Sequence, residues 1–133
     1  MSPISKLARP TATGIPANKP IVGMVGPSLE FYEGTKMGTP APDYFFHKGG
    51  MINLTRYFAS VFGPGGVRVN CLSPGACFNQ QPELFLERYN HRTMLGRMAS
   101  ETDLGGAVVF LLSDASRYVT GINLPVDGGY TAK

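Results

Sequence analysis

The chain has 133 residues and a net charge of +3, enough for one domain of modest size. Its 12 Lys and Arg are scattered rather than gathered in a stripe, which argues against a nucleic-acid partner. Only 16% of residues are charged, below the globular average of about 25%, so much of the surface is expected to be covered, by a partner or by another part of the same fold.

Residues 1–20 carry four prolines and no apolar periodicity and read as an irregular leader. Met1 to Lys6 holds no apolar signal core, and no stretch approaches the roughly 18 apolar residues of a membrane span. With two isolated cysteines, Cys71 and Cys77, and no disulfide framework, the expectation is a cytoplasmic chain without a membrane partner. Ile21 to Val25 is a short apolar piece, and the stretch from there to residue 43 reads as a loop rich in Gly, Pro and Thr.

From Tyr44 to Phe62 the apolar residues Met51, Leu54, Phe58 and Val61 recur at helical spacing and define an expected core face. Gly49 and Gly50 lie inside this helix at a cost of about 1 kcal/mol each relative to Ala, which points to close approach of another backbone. Gly63-Pro64-Gly65-Gly66 ends it.

Val67 to Leu72 reads as a strand closed by Ser73-Pro74-Gly75, and Pro82 introduces a short helix over Glu83 to Tyr89. A third helix is predicted from Glu101 to Leu112. Ser100 and Asp103 have capping-box spacing, and Leu104, Val108, Leu111 and Leu112 form the expected buried face. Tyr118 to Val126 is a second strand, closed by Asp127-Gly128-Gly129. Helices alternating with short apolar strands predict an α/β layer with a parallel sheet, although two strands fall short of a self-sufficient doubly wound domain.

The cluster that carries chemistry is Tyr44-Phe-Phe-His-Lys48. Residues four apart share a helix face, which brings the Lys48 ammonium one turn from the Tyr44 phenol. A neighbouring cation favours the phenolate, so the spacing predicts a lowered tyrosine pKa and a group able to move a proton to or from an alcohol oxygen. The same spacing also arises by chance on exposed polar faces. His47 and His91 lack companions at ligand spacing and read as solvated or packing residues, so no metal site is expected.

Context gives the pair its weight. Tyr44-x-x-x-Lys48-Gly-Gly is followed in order by Leu54-Thr55-Arg56, Val67-Arg68-Val69-Asn70, Ser73-Pro74-Gly75, Asp114-Ala115-Ser116, Thr120-Gly121 and Val126-Asp127-Gly128-Gly129. This succession, spanning residues 21–133, resembles the C-terminal half of short-chain dehydrogenases/reductases. Gly26-Pro27 and Tyr32-Glu33-Gly34-Thr35 resemble a branch linked to bacterial flagellin-glycan sugar synthesis.

The resemblance implies the C-terminal half of a Rossmann-like doubly wound parallel sheet over residues 21–133, behind the irregular leader. It implies hydride transfer between an alcohol and a ketone or aldehyde with NAD or NADP, on a small and sugar-like substrate. By the same resemblance Tyr44 is the acid/base, and Lys48 both lowers its pKa and contacts the nicotinamide ribose. Pro74, Gly75, Ala76 and Cys77 line the nicotinamide, and residues 80–92 form the substrate loop. Subunit contacts in the family run through the Tyr-Lys helix and the final strand with its preceding helix, implying a homo-oligomer or docking onto a full-length homologue.

The departures are specific. No Gly-rich strand–turn–helix for a pyrophosphate occurs in the 133 residues. Lys19-Pro20 stands where the family places its catalytic serine, Ser28 falls too late, and Asn79 replaces the threonine of the loop motif. The preceding helix's asparagine is missing too. The expectation is therefore that the chain alone is inactive.

Overall fold

The computed structural model describes residues 20–133, Pro20 by its backbone alone, so the leader expected over 1–20 lies outside the described side chains. Short 3-10 turns at Pro20–Gly23 and Leu29–Phe31 lead into α1 (Pro42–Phe62). They are followed by β1 (Cys71–Pro74), α2 (Glu83–Arg92), α3 (Gly105–Leu112) and β2 (Asn123–Val126). Among the described residues β1 and β2 form a two-stranded parallel sheet, with Cys71 opposite Asn123 and Pro74 opposite Val126. A parallel pair needs a long crossover, and α2 and α3 supply it.

The start of α1 follows from Ala41 in extended conformation, Pro42 in the first turn and Asp43 favouring the positive helix end. It runs out where Gly63-Pro64-Gly65 tightens into a 3-10 turn and Gly66 adopts φ 78°. The close backbone approach expected at the α1 glycines is required at Gly23 instead, and a Cβ on Gly50 would meet nothing within 4 Å. A Cβ on Gly23 would sit 2.6 Å from the Lys48 carbonyl oxygen, whereas one on Gly49 would meet Gly23 O at an ordinary 3.7 Å.

The first strand begins later than its apolar run. Over residues 67–70 side chains take the place of a regular ladder. Arg68 donates to the carbonyls of Val119 and Ser113, Asn70 donates to Val119 O at 2.9 Å, and Thr120 Oγ1 accepts from Val69 N–H at 3.0 Å. The ladder continues past the expected stop, because Gly75 N–H donates to Val126 O. The second strand likewise shortens to Asn123–Val126.

The capping box is present: Asp103 Oδ2 accepts from Ser100 N–H at 2.6 Å. It closes a 3-10 turn at Glu101–Asp103, and the α-helix proper starts only at Gly105.

The core gathers at one end. Ile21, Phe31, Ala76, Phe85, Tyr89, Met98 and Tyr130 form one buried cluster, with Phe85 at 0% exposure. Phe31 meets Phe85, Tyr89 and Tyr130 edge-on at 6.0–6.3 Å, while Tyr89 stacks on Tyr130 at 4.9 Å. Burying a ring the size of Phe85 contributes about 2–3 kcal/mol, and well-oriented aromatic pairs add about 0.5–1.5 kcal/mol each.

The expected apolar faces of α1 and α3 are not buried. On α1 only Thr55 and Ala59 are buried, and Met51, Leu54, Phe58 and Val61 are exposed. α3 has no buried residue, and Leu112 is 68% exposed. The periodicity was that of a covered surface, but the described residues leave these side chains exposed. Among the described residues no helix is long and apolar enough to cross a membrane.

Candidate functional site

Tyr44 and Lys48 lie in the first two turns of α1, on the same side of the helix. The Lys48 ammonium stands over the Tyr44 ring, 5.4 Å from its centroid. The Tyr44 hydroxyl is buried and has no hydrogen-bond partner among the described residues. Burial therefore pushes the phenol up from its ordinary value, opposite to the lowering expected from the spacing. The physical reason is placement: the cation faces the ring, and the oxygen has lost water without gaining a donor. The protonated phenol so favoured is the form able to give a proton to a carbonyl oxygen.

Around this pair the segment before α1 folds onto the aromatic cluster. Tyr32 is raised by burial first and then by the neighbouring Tyr130 and Tyr44. Ser28, too late in sequence for the family's serine position, has its Oγ 3.3 Å from the Tyr130 hydroxyl. A small cavity of about 20 Å³, lined in part by Val25, Ser28, Tyr32, Phe45 and Tyr89, lies among them.

Pro74, Gly75, Ala76 and Cys77 run from the end of β1 as a closely held loop. Gly75 N–H donates to Val126 O at 2.9 Å, Ala99 N–H to Ala76 O at 3.0 Å and Phe78 N–H to Ala99 O at 2.9 Å. Gly75 is needed for close approach, since a Cβ there would lie 2.9 Å from Asp127 Cα and 3.2 Å from the Tyr89 hydroxyl. Burial raises the Cys77 thiol, helped by the nearby Asp103 and Glu101 carboxylates. Asn79, in place of the family's threonine, takes its N–H to Gln81 Oε1 at 2.7 Å. A cleft of about 230 Å³ opens beside the loop, bordered by Tyr89, Arg97, Asp103 and Asp127.

The Asp127-Gly128-Gly129 turn is structural, as expected. Asp127 accepts from Gly129 N–H and from both the N–H and hydroxyl of Thr131, and the two glycines take φ 63° and 81°. Ser116 is equally structural, donating to the carbonyls that end α3. No group of three His, Cys, Asp or Glu among the described residues could hold a metal.

Sequence reasoning missed Tyr89. It fell at the end of a short helix within the expected substrate loop and was given no role of its own, yet it lines both the small cavity and the cleft, and its phenol oxygen accepts from Ala76 N–H at 2.7 Å. Its spacing of four from Phe85 could have marked it as a core aromatic. Nothing in spacing could have shown what its hydroxyl touches.

A helix opening on Tyr-x-x-x-Lys and a loop after a parallel strand that presents backbone to a cleft fit part of a Rossmann-like α/β architecture. The family model described as enoyl-(acyl carrier protein) reductase matches residues 27–131, and the chain belongs to the short-chain dehydrogenase/reductase family. It is 36% identical to post-translational flagellin modification protein A of Campylobacter coli over 83% of this chain and 43% of that protein. It is 40% identical to galactitol 2-dehydrogenase (L-tagatose-forming) of Cereibacter sphaeroides over 78% of this chain and 44% of that enzyme. A short-chain dehydrogenase of Leptospira borgpetersenii, solved with bound NAD+, superposes with a TM-score of 0.75 at 41% identity, covering 84% of this chain and 41% of that one. The chain thus spans well under half the length of these relatives.

Proposed function

We propose that this chain carries the proton-transfer half of a short-chain oxidoreductase site, with Tyr44 as acid/base and Lys48 as its cationic neighbour. Interconversion of a secondary alcohol and a ketone, or of an alcohol and an aldehyde, separates into a hydride and a proton. NAD or NADP would supply or take the hydride. The chain's own contribution is to hold the protonated Tyr44 phenol ready for the carbonyl oxygen, with the Lys48 cation at its ring to stabilise the phenolate left behind. The observation that carries this reading is the buried Tyr44 hydroxyl, unpartnered among the described residues, with the Lys48 ammonium at its ring. A buried donor without an acceptor is costly, and a substrate oxygen would satisfy it.

The loop of Pro74, Gly75, Ala76 and Cys77 fits the nicotinamide side of a dinucleotide, because Gly75 brings bare backbone to the surface of a cleft. The pyrophosphate side is not supplied by these 133 residues, which hold no Gly-rich turn. The isolated chain is therefore inactive in this reading, and the full activity belongs to a domain with the remaining part in place. The relative named for galactitol supports a polyol or sugar-like substrate.

A fusion tests the assignment. With the leading portion of the Cereibacter galactitol dehydrogenase joined ahead of Ile21, NAD(P)-dependent polyol oxidation is expected. Tyr44→Phe should then lower turnover by about 10²–10⁴-fold. A Tyr44→Phe fusion as fast as its parent defeats the assignment. For the chain alone, titration should show no saturable NADH fluorescence change, and tight binding would overturn its inactivity.

A second reading is favoured by the exposed apolar residues of α1 and α3, including Phe58, Val109 and Leu112. Faces of this kind mark interaction surfaces. In this reading the chain is a non-catalytic module that assembles with itself or docks onto a full-length relative. Co-elution with such a relative supports it, and separate elution at micromolar concentrations counts against it.

A further inference from the structure

We propose that Tyr89 is a positioning residue that tethers the substrate-side helix α2 to the cofactor-side loop at Ala76, so that the two sides of the site hold one register. The proposal rests on the reading above that residues 74–77 face the nicotinamide.

The tether is a single hydrogen bond in a buried setting. Ala76 N–H donates to the Tyr89 phenol oxygen at 2.7 Å, and both residues are almost wholly buried. A buried amide with no alternative partner makes this bond expensive to lose. The ring that carries the oxygen cannot drift easily, because it stacks between Tyr130 at 4.9 Å and Phe85 at 6.2 Å, with Phe31 edge-on at 6.1 Å. One residue earlier, Arg88 donates to the carbonyl oxygens of Glu30 and Glu33, clamping α2 to the segment that precedes α1. Burial holds the Tyr89 phenol far above its ordinary pKa, so the acceptor stays neutral throughout the working pH range.

The loop has somewhere to go when released. Gly75 is packed between Asp127 and the Tyr89 hydroxyl, and the cleft of about 230 Å³ lies alongside. The remaining holds on the loop come from β2, from Ala99 and from the Gln81 side chain, which donates to Cys77 O at 2.9 Å; none of these belongs to α2. Removing one oxygen therefore takes away the hydrogen bond that α2 itself makes to the loop without removing the ring that fills the core.

Tyr89→Phe in the full chain is the test, read by hydrogen exchange at the Ala76 amide and by labelling of the Cys77 thiol with a neutral maleimide. Cys71, in β1 and away from the tether, is the internal control. Both the Ala76 exchange rate and the Cys77 labelling rate should rise about tenfold, with Cys71 unchanged. Tyr130→Phe, which removes a neighbouring hydroxyl directed at Ser28, should leave Cys77 labelling as in the parent. Unchanged Ala76 and Cys77 rates in Tyr89→Phe, or equal acceleration of both cysteines, would overturn the tether. If Tyr89→Phe does not fold, the parent chain decides: an Ala76 amide exchanging at the rate of an unstructured peptide also overturns it. The functional reading is judged separately by the activity of the fusion, so the failure of either is distinguishable from the failure of the other.

Discussion

Two regions of this molecule both carry large apolar side chains and treat them in opposite ways. Around Phe31, Phe85, Tyr89 and Tyr130 the rings close over one another, and the small residues Ala76 and Gly75 let the backbone join them. Along α1 beyond Lys48 and throughout α3, rings and branched chains of the same kinds stand in solvent, with Val109 at 67% exposure. Composition does not separate the regions. Opposing surface does: the first region folds back on itself through α2 and the segment before α1, and the second leaves its apolar side chains exposed among the described residues. The exposed apolar helix faces are what the docking reading proposed above rests on.

Four changes break or sharpen this contrast. Phe85→Ala removes the fully buried ring at the centre of the closed region and should cost about 3–5 kcal/mol in urea unfolding. A cost below about 1 kcal/mol would mean that the closed region is not the folding core. Gly75→Ala places a methyl against Asp127 backbone and the Tyr89 hydroxyl; a loss of about 1–3 kcal/mol is expected by the same measurement, because the backbone cannot step aside cheaply.

Asp103→Asn tests the surface ion pair with Arg97 at the capping box. Arg97 first, then the Ser100 backbone and hydroxyl, hold the Asp103 carboxylate below the usual carboxylate range. A depressed folded-state pKa stabilises above the unfolded value of about 3.9, and the contribution disappears as pH falls through the lower folded value. The unfolding midpoint of the parent should therefore exceed that of Asp103→Asn at pH 6, with the gap closing on acidification below about pH 4. A gap independent of pH would remove the carboxylate from the explanation.

The smallest effect is expected on the open face. Leu112→Glu, at a side chain 68% exposed, should change unfolding free energy by no more than about 0.5 kcal/mol and should reduce self-association seen by light scattering. A large loss of stability would show that this face is covered within the chain itself.

Much of the local structure was legible from residue types alone. The helix expected from Tyr44 lies within α1, which the structure starts two residues earlier at Pro42; Gly63-Pro64 marks its end, and Ser100 with Asp103 the capping box, because each acts through backbone groups only a few residues away. Tyr44 and Lys48 share a helix face for the same reason. The direction of the Tyr44 shift was not legible, since it depends on whether the phenol oxygen or the ring meets the cation and on what else surrounds the oxygen. The late start of β1 was hidden as well. Arg68 and Asn70 spend their side chains on carbonyls some fifty residues away, where a propensity argument has no reach.

What the amino-acid order determined by itself is the sequence of elements and the placement of a phenol and an ammonium one turn apart, because helical periodicity and capping are short-range. Only the tertiary structure decided which apolar stripes are covered and that Tyr89 reaches the Ala76 amide. Burial and a buried hydrogen bond depend on what lies opposite in space, and that partner is set by the packing of distant segments.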